Sequence, residues 1–316
     1  MNEYRGKHAP SAPWPVASSA SSPGRRGRHQ RRHKGRRFLV FFLCLLLLIV
    51  LAYPFVEARI LTVEKMTVRS EDLPWDANNL RIVYLSDIHW GYWYTDRDLS
   101  SLLSKINSLR PDLVLFGGDY STDYEGALRF FRTLQDMSRI HARYGIFGVL
   151  GEADCGETAA EQTALAEAMA NADVTPLINQ TVPVYVGSGT VWIAGLDDFS
   201  RGNPDIKAVA SPVTSSDFVI LLSHNPSVIQ DAQQTTDGSG GLGWFDLGLF
   251  GHTHGGQMKL FGSLLGLAED VPSRYVSGWL VENRSSLLIS RGVGMSVFPA
   301  RLFCPPQIHL IEVTAD

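Results

Sequence analysis

The stretch Leu80-Arg81-Ile82-Val83-Tyr84-Leu85-Ser86-Asp87-Ile88-His89 carries the two features that decide the fold. An apolar run of strand length comes first, and a carboxylate and an imidazole follow where it stops. The order recurs downstream. Residues 113–116 precede Asp119, residues 146–150 precede Glu152, residues 219–222 precede His224, and residues 247–250 precede His252 and His254. Short apolar runs without alternation suit strands buried on both faces. In an open α/β sheet the strand ends border the ligand crevice, so five separated segments are expected to converge there.

Helical patterns lie between these runs. Leu99, Leu102, Leu103, Ile106 and Leu109 recur at helical spacing after Asp96, a candidate N-cap. Leu128, Phe131 and Leu134 mark a second helix, and the Ala- and Glu-rich residues 158–170 a third. Further strands are expected at 182–186, 191–194, 218–222, 286–289 and 308–313. No Pro/Ser-rich linker or internal repeat interrupts residues 57–316. They read as one α/β domain with a large sheet of mixed direction.

The N-terminal part differs. Residues 1–37 hold ten of the 28 Lys and Arg but one of the 32 Asp and Glu, leaving 18 basic and 31 acidic residues, a net charge of -13, for the remainder. Residues 38–56 are an uncharged run of 19, rich in Leu and Phe; as a helix they span about 28 Å, close to the hydrocarbon thickness of a bilayer. We read one transmembrane helix, with the basic tail in the cytoplasm and the domain from residue 57 outside it, at the cell membrane. A cleaved signal peptide is the alternative. The tail's Ser, Gly, Pro and Arg content beside an apolar segment suits disorder and contact with anionic lipid headgroups rather than nucleic acid. Three cysteines make no disulfide framework; with Cys44 in the apolar run, only Cys155 and Cys304 are left to pair.

Asp-x-His or Gly-Asp alone would be ambiguous. Gly251-His252-Thr253-His254-Gly255-Gly256 is more specific, because histidines one residue apart can reach adjacent metals while glycines let the backbone approach a ligand. Burying so many carboxylates and imidazoles is costly without counter-cations. Mixed oxygen and nitrogen ligands suit divalent Mn, Fe or Zn, and the scarcity of thiolates argues against a structural zinc site.

The ordered set Asp87-Ile88-His89, Gly118-Asp119, Gly151-Glu152-Ala153-Asp154, Ser223-His224-Asn225 and Gly251-His252-Thr253-His254-Gly255-Gly256-Gln257 resembles the calcineurin-like metallophosphoesterase superfamily. It is most similar to the bacterial membrane-associated branch of YkuE- and YaeI-type phosphodiesterases. Arg291-Gly292-Val293-Gly294, Pro299-Ala300-Arg301 and Pro306-Gln307-Ile308 extend the resemblance, which covers about residues 78–313. It implies a four-layer α/β/β/α sandwich with two mixed sheets and a binuclear metal centre. By position, Asp87, His89, Asp119 and His254 would hold one ion, and Asp119, Glu152, His224 and His252 the other, with Asp119 bridging and with Asp119 and His252 serving catalysis.

Two positions depart from the pattern. The third motif of the family reads Gly-Asn-His followed by Asp or Glu, where this chain has Gly151-Glu152-Ala153-Asp154. Glu152 replaces an amide ligand and can still coordinate a cation, but its charge should weaken the Lewis acidity there. Ala153 replaces the histidine that stabilises the transition state or protonates the leaving oxygen. Asp154 and His141 are the candidate substitutes. The leading expectation is a metal-dependent phosphodiesterase or phosphomonoesterase, with anchoring favouring a lipid-linked or envelope substrate. Its rival is a catalytically weakened metal-binding regulatory or scaffold protein.

Overall fold

The computed structural model describes Pro13 and residues 26–137, 139–260, 263–264, 271–296 and 298–316. In chain order, α1 (Arg26–Glu57) precedes β1 (Thr62–Ser70), β2 (Leu80–Leu85), α2 (Asp96–Ser108), β3 (Leu113–Phe116) and α3 (Tyr124–Asp136). Then come β4 (Ile146–Gly148), α4 (Ala159–Asn171), β5 (Thr175–Pro176), β6 (Gln180–Val186), β7 (Gly189–Gly195), α5 (Ile206–Ala210) and β8 (Val219–Leu222). The chain closes with α6 (Ile229–Gln234), β9 (Leu247–Phe250), the hairpin β10 (Lys259–Leu260) and β11 (Ser263–Leu264), β12 (Gly278–Glu282), β13 (Ser285–Ile289) and β14 (Gln307–Ala315).

Most of the basic tail lies outside the described residues. Residues 26–37 are helical and run directly into the apolar segment, where the composition pointed to disorder. Gly35–Glu57 is long and apolar enough to cross a membrane. The chain divides into two compact units, Met1–Leu51 and Ala52–Asp316, so the last six residues of α1 belong to the second.

Within that second unit the strands form two six-stranded sheets, where the residue pattern alone suggested one. The first has the order β1-β14-β2-β3-β4-β5 and the second β12-β13-β9-β8-β7-β6. Both are mixed. Strands β2 to β5 run parallel and β14 antiparallel to β2; β7, β8, β9 and β13 run parallel, with β6 and β12 antiparallel at the edges.

Side-chain alternation explains the layers. Ile82 and Tyr84 face the second sheet, meeting Ile193, Ile220 and Leu249 in a shared core. Val83 and Leu85 point the other way, onto Leu99, Leu102 and Ile106 of α2 and Phe130 and Phe131 of α3. Across the second sheet, Val219 and Leu221 pack on Val209 of α5 and Ile229 and Ala232 of α6. Two sheets with helices on both outer faces make the four-layer sandwich, and strands covered on each face need apolar residues at every position. Helix α2 starts one residue from expectation: Thr95 is its N-cap, in a capping box with Asp98.

Candidate metal centre

The parallel strands of both sheets end at one edge of the sandwich, and the expected polar residues sit on the loops leaving them. Asp87 and His89 follow β2, Asp119 follows β3, Glu152 opens a 3-10 turn after β4, His224 follows β8, and His252 and His254 follow β9. The backbone is unusual there. Asp87, His89, Asp119, His252 and His254 all have φ between +45° and +66°, a region non-glycine residues seldom occupy and which concentrates at functional sites. Two glycines permit the close approach: a Cβ on Gly251 would lie 2.6 Å from Asp87 Oδ2, and one on Gly151 would collide with the Asp119 carboxylate.

Two groups bring their donor atoms within 4.8 Å of one another: Asp87, His89 and His254, and Asp87, Asp119 and His224. All five residues are buried. His224 Nδ1 lies 2.7 Å from the Gly117 carbonyl, which makes it the protonated nitrogen and ties the second sheet to the first. Its Nε2 then carries a lone pair, 3.5 Å from Asp119 Oδ2. His89 Nδ1 similarly faces the Ser121 carbonyl at 3.2 Å. Carbonyl contacts of this kind orient metal-ligating imidazoles.

These atoms lack a sufficient set of protein partners. His89 Nε2 and His254 Nε2 face each other at 2.9 Å, and Asp87 Oδ2 and His224 Nε2 are buried without a hydrogen-bond partner. The electrostatics agree. Burial opposes charge on Asp119, but the facing His224 and His89 hold its carboxyl well below the usual range. Burial also disfavours a charged His224, yet Asp119 and Asp87 raise its pKa well above the ordinary imidazole value. The carboxylates thus call for positive charge between the two sheets, and divalent cations meet that demand with His224 neutral. Burial, His89 and Arg301 push the His254 pKa well down, keeping that imidazole neutral as a ligand must be. The donor set fits divalent metal.

Glu152 and His252 lie at the same edge, half-buried and outside these two groups. The His252 ring is 5.3 Å from that of His224, and its backbone N–H donates to Asp87 Oδ1 at 3.0 Å. Asp87 is the residue common to both groups.

Three expectations change. Asp154 is fully buried; Oδ2 accepts the N–H groups of Asp119 at 2.7 Å and Gly151 at 2.9 Å, and Oδ1 accepts that of Tyr120 at 2.9 Å. It braces two ligand loops instead of facing a leaving group. His141 precedes β4 and its backbone N–H donates to Asn107 Oδ1, at the opposite end of the sheet. Cys155 and Cys304 are buried free thiols, donating to the Gly151 carbonyl and to the His254 carbonyl.

Arg301 was not singled out as a site residue. It is fully buried, its guanidinium donates to the Gly294, Arg291 and Cys304 carbonyls, and Nη2 lies 3.4 Å from His254 Nδ1. An arginine in the irregular stretch before β14 has no periodicity to reveal it.

The calcineurin-like phosphoesterase family model matches residues 80–256, and the chain belongs to that family. It is 28% identical over 264 residues to the uncharacterized metallophosphoesterase YkuE of Bacillus subtilis (strain 168), covering 82% of this chain and 87% of that one. It is 26% identical to the phosphodiesterase YaeI of Escherichia coli (strain K12), covering 75% and 83%. It is also 31% identical to the uncharacterized protein YpbG of Bacillus subtilis (strain 168), covering 74% and 81%.

Proposed function

We propose that this chain is a membrane-anchored hydrolase that cleaves a phosphodiester or phosphomonoester at a two-metal centre. The observation that carries the reading is the crowding of buried ligand atoms from Asp87, His89, Asp119, His224 and His254 at one edge of the sandwich, with Asp87 Oδ2 and His224 Nε2 left without a hydrogen-bond partner. These five would hold the metals together with Glu152 and His252, which flank them; Mn, Fe and Zn suit the set. Divalent ions bound there supply Lewis acidity toward the phosphoryl oxygens and lower the pKa of water. The likeness to YaeI, a phosphodiesterase, favours the diester.

The chain's own groups set the limits. Gly117 and Ser121 carbonyls fix two imidazoles before a cation arrives, so little reorganisation remains. Ala153 offers a methyl group where a proton donor is expected, and Asp154 is committed to three N–H groups. A phosphoester with a good leaving group is therefore the substrate this site handles best. Ala153 is also what favours the second reading, a metal-binding regulatory protein with weak catalysis.

Elemental analysis of the purified protein, joined to turnover of an activated aryl phosphodiester, separates the two. Bound metal with turnover supports the enzyme, bound metal without turnover supports the regulatory protein, and an absence of metal removes both.

A further inference from the structure

Glu57 ends α1 and is only 3% exposed, because its carboxylate turns into the domain. It accepts the backbone N–H groups of Phe303, at 3.0 Å, and Cys304. The Arg301 N–H donates to the Pro54 carbonyl at 3.0 Å. Rings reinforce the join: Phe55 meets Phe298 edge-on at 5.7 Å, and Tyr53 lies 6.3 Å from Phe303. The same loop reaches the metal centre, with Cys304 Sγ 3.2 Å from the His254 carbonyl and Arg301 beside the His254 ring. The end of the apolar helix is thus tied to the loop that supports a candidate metal ligand.

The outer side of this join is apolar. Tyr53, Phe55, Ile60, Phe298 and Phe303 are 43%, 47%, 51%, 51% and 64% exposed. Water is a poor environment for such a cluster, and aromatic rings are favoured at the membrane–water interface. Chain connectivity names the occupant. Six residue steps separate Leu51 from Glu57, at most about 20 Å even if fully extended, so a bilayer holding the apolar run cannot lie far from the collar.

We propose that this aromatic collar seats on the bilayer surface and that the metal centre takes its substrate from there, a phosphoester carried in the headgroup layer. The proposal rests on the anchored-phosphoesterase reading. Burying the collar orients the strand-end edge toward the lipid, so a bilayer-borne ester meets the site at high local concentration while a dissolved one does not.

The test uses the full chain in phosphatidylcholine vesicles. Phe298→Trp and Phe303→Trp report contact, read as the emission added over the unsubstituted chain; lipid brominated near the headgroup should quench both. Tyr185→Trp, on β6 where it pairs with the start of β7, is the control and should escape quenching. The functional arm compares a nitrophenyl phosphodiester of diacylglycerol in the vesicle with its water-soluble methyl analogue, which shares the leaving group. The double variant Phe298→Ser, Phe303→Ser should lose at least about tenfold in kcat/KM on the vesicle-borne ester, and none on the soluble one. Equal loss on both esters, or quenching no greater than at the control position, overturns the proposal. Shielding of both tryptophans from an aqueous quencher without quenching by brominated lipid assigns the collar to a protein partner and overturns it too. Quenched tryptophans without turnover of either ester leave the bilayer contact standing but sink the phosphoesterase reading, and the substrate class with it.

Discussion

Asp154 Oδ2 accepts the backbone N–H of Asp119 at 2.7 Å, joining the turn after β4 to the loop after β3. The same oxygen accepts the Gly151 N–H, and Oδ1 accepts that of Tyr120. Burial and the charge of Asp119 raise the Asp154 pKa, opposed by these N–H bonds. The residue that follows the altered motif thus holds two ligand loops in register.

Asp154→Ala would strand three buried N–H donors, at a cost of roughly 1–3 kcal/mol for each that finds no water. We expect a clear drop in the unfolding midpoint and reduced metal content. Asp154→Asn should cost less, since its carbonyl oxygen can keep the Asp119 and Gly151 N–H groups while its NH2 faces that of Tyr120. Calorimetry and elemental analysis check both; an unchanged midpoint for the alanine variant would count against the brace.

Asp87→Asn should deplete bound metal more than His252→Ala, because Asp87 belongs to both donor groups and His252 to neither. Losing a ligand's support costs metal affinity about 10- to 100-fold, and a shared ligand should exceed that. Titration with a metal indicator decides the order; equal depletion would count against Asp87 as a shared ligand.

Ala153→His should raise turnover of esters with basic alcohol leaving groups by up to roughly 10²- to 10⁴-fold. Activated aryl esters should gain far less, and metal stoichiometry should stay unchanged. The backbone contact from Ala153 N–H to Asp119 Oδ1 survives the change. Kinetics on a matched pair of esters test this, and equal effects on both would defeat the account of Ala153.

His309 is buried in β14 between Gln307 and Ser290, and burial, then Arg291, push its pKa down to about 3. The folded state therefore disfavours its charged form. Its contribution is intact above the unfolded value near 6.5 and is lost as pH falls from there toward 3, by at most roughly 4–5 kcal/mol. His309→Gln should flatten that acid dependence. Denaturant unfolding of both proteins at pH 7 and pH 4 measures it, and parallel losses would exclude His309 as the cause.

Protease added outside spheroplasts should digest the domain after Glu57 and spare the basic tail, given ten basic residues ahead of the apolar run. A C-terminus protected in the cytoplasm would reverse the proposed orientation.

Much of this molecule was legible before folding. The buried strands of both sheets announced themselves as unbroken apolar runs, because layers cover them on each face. Their polar successors, from Asp87 to His254, were visible for the same reason: a carboxylate or imidazole directly after such a run contrasts with it. Strand β1 was not visible, since residues 62–70 hold only three apolar residues, Val63, Met66 and Val68, at irregular spacing, and pair only with β14 at a sheet edge. The division into two sheets was hidden from the apolar pattern, because it depends on which strands pair across long intervals of chain, and came only with the family resemblance of the ordered motifs. The inward turn of Asp154, the free thiols of Cys155 and Cys304, and the reach of Glu57 to a loop 247 residues away are also decisions of tertiary structure. Apolar pattern and strand-end chemistry are local properties of the chain. Partner choice is not: a buried carboxylate goes to whichever N–H groups the packed layers leave unpaired, and only the assembled sandwich determines which those are.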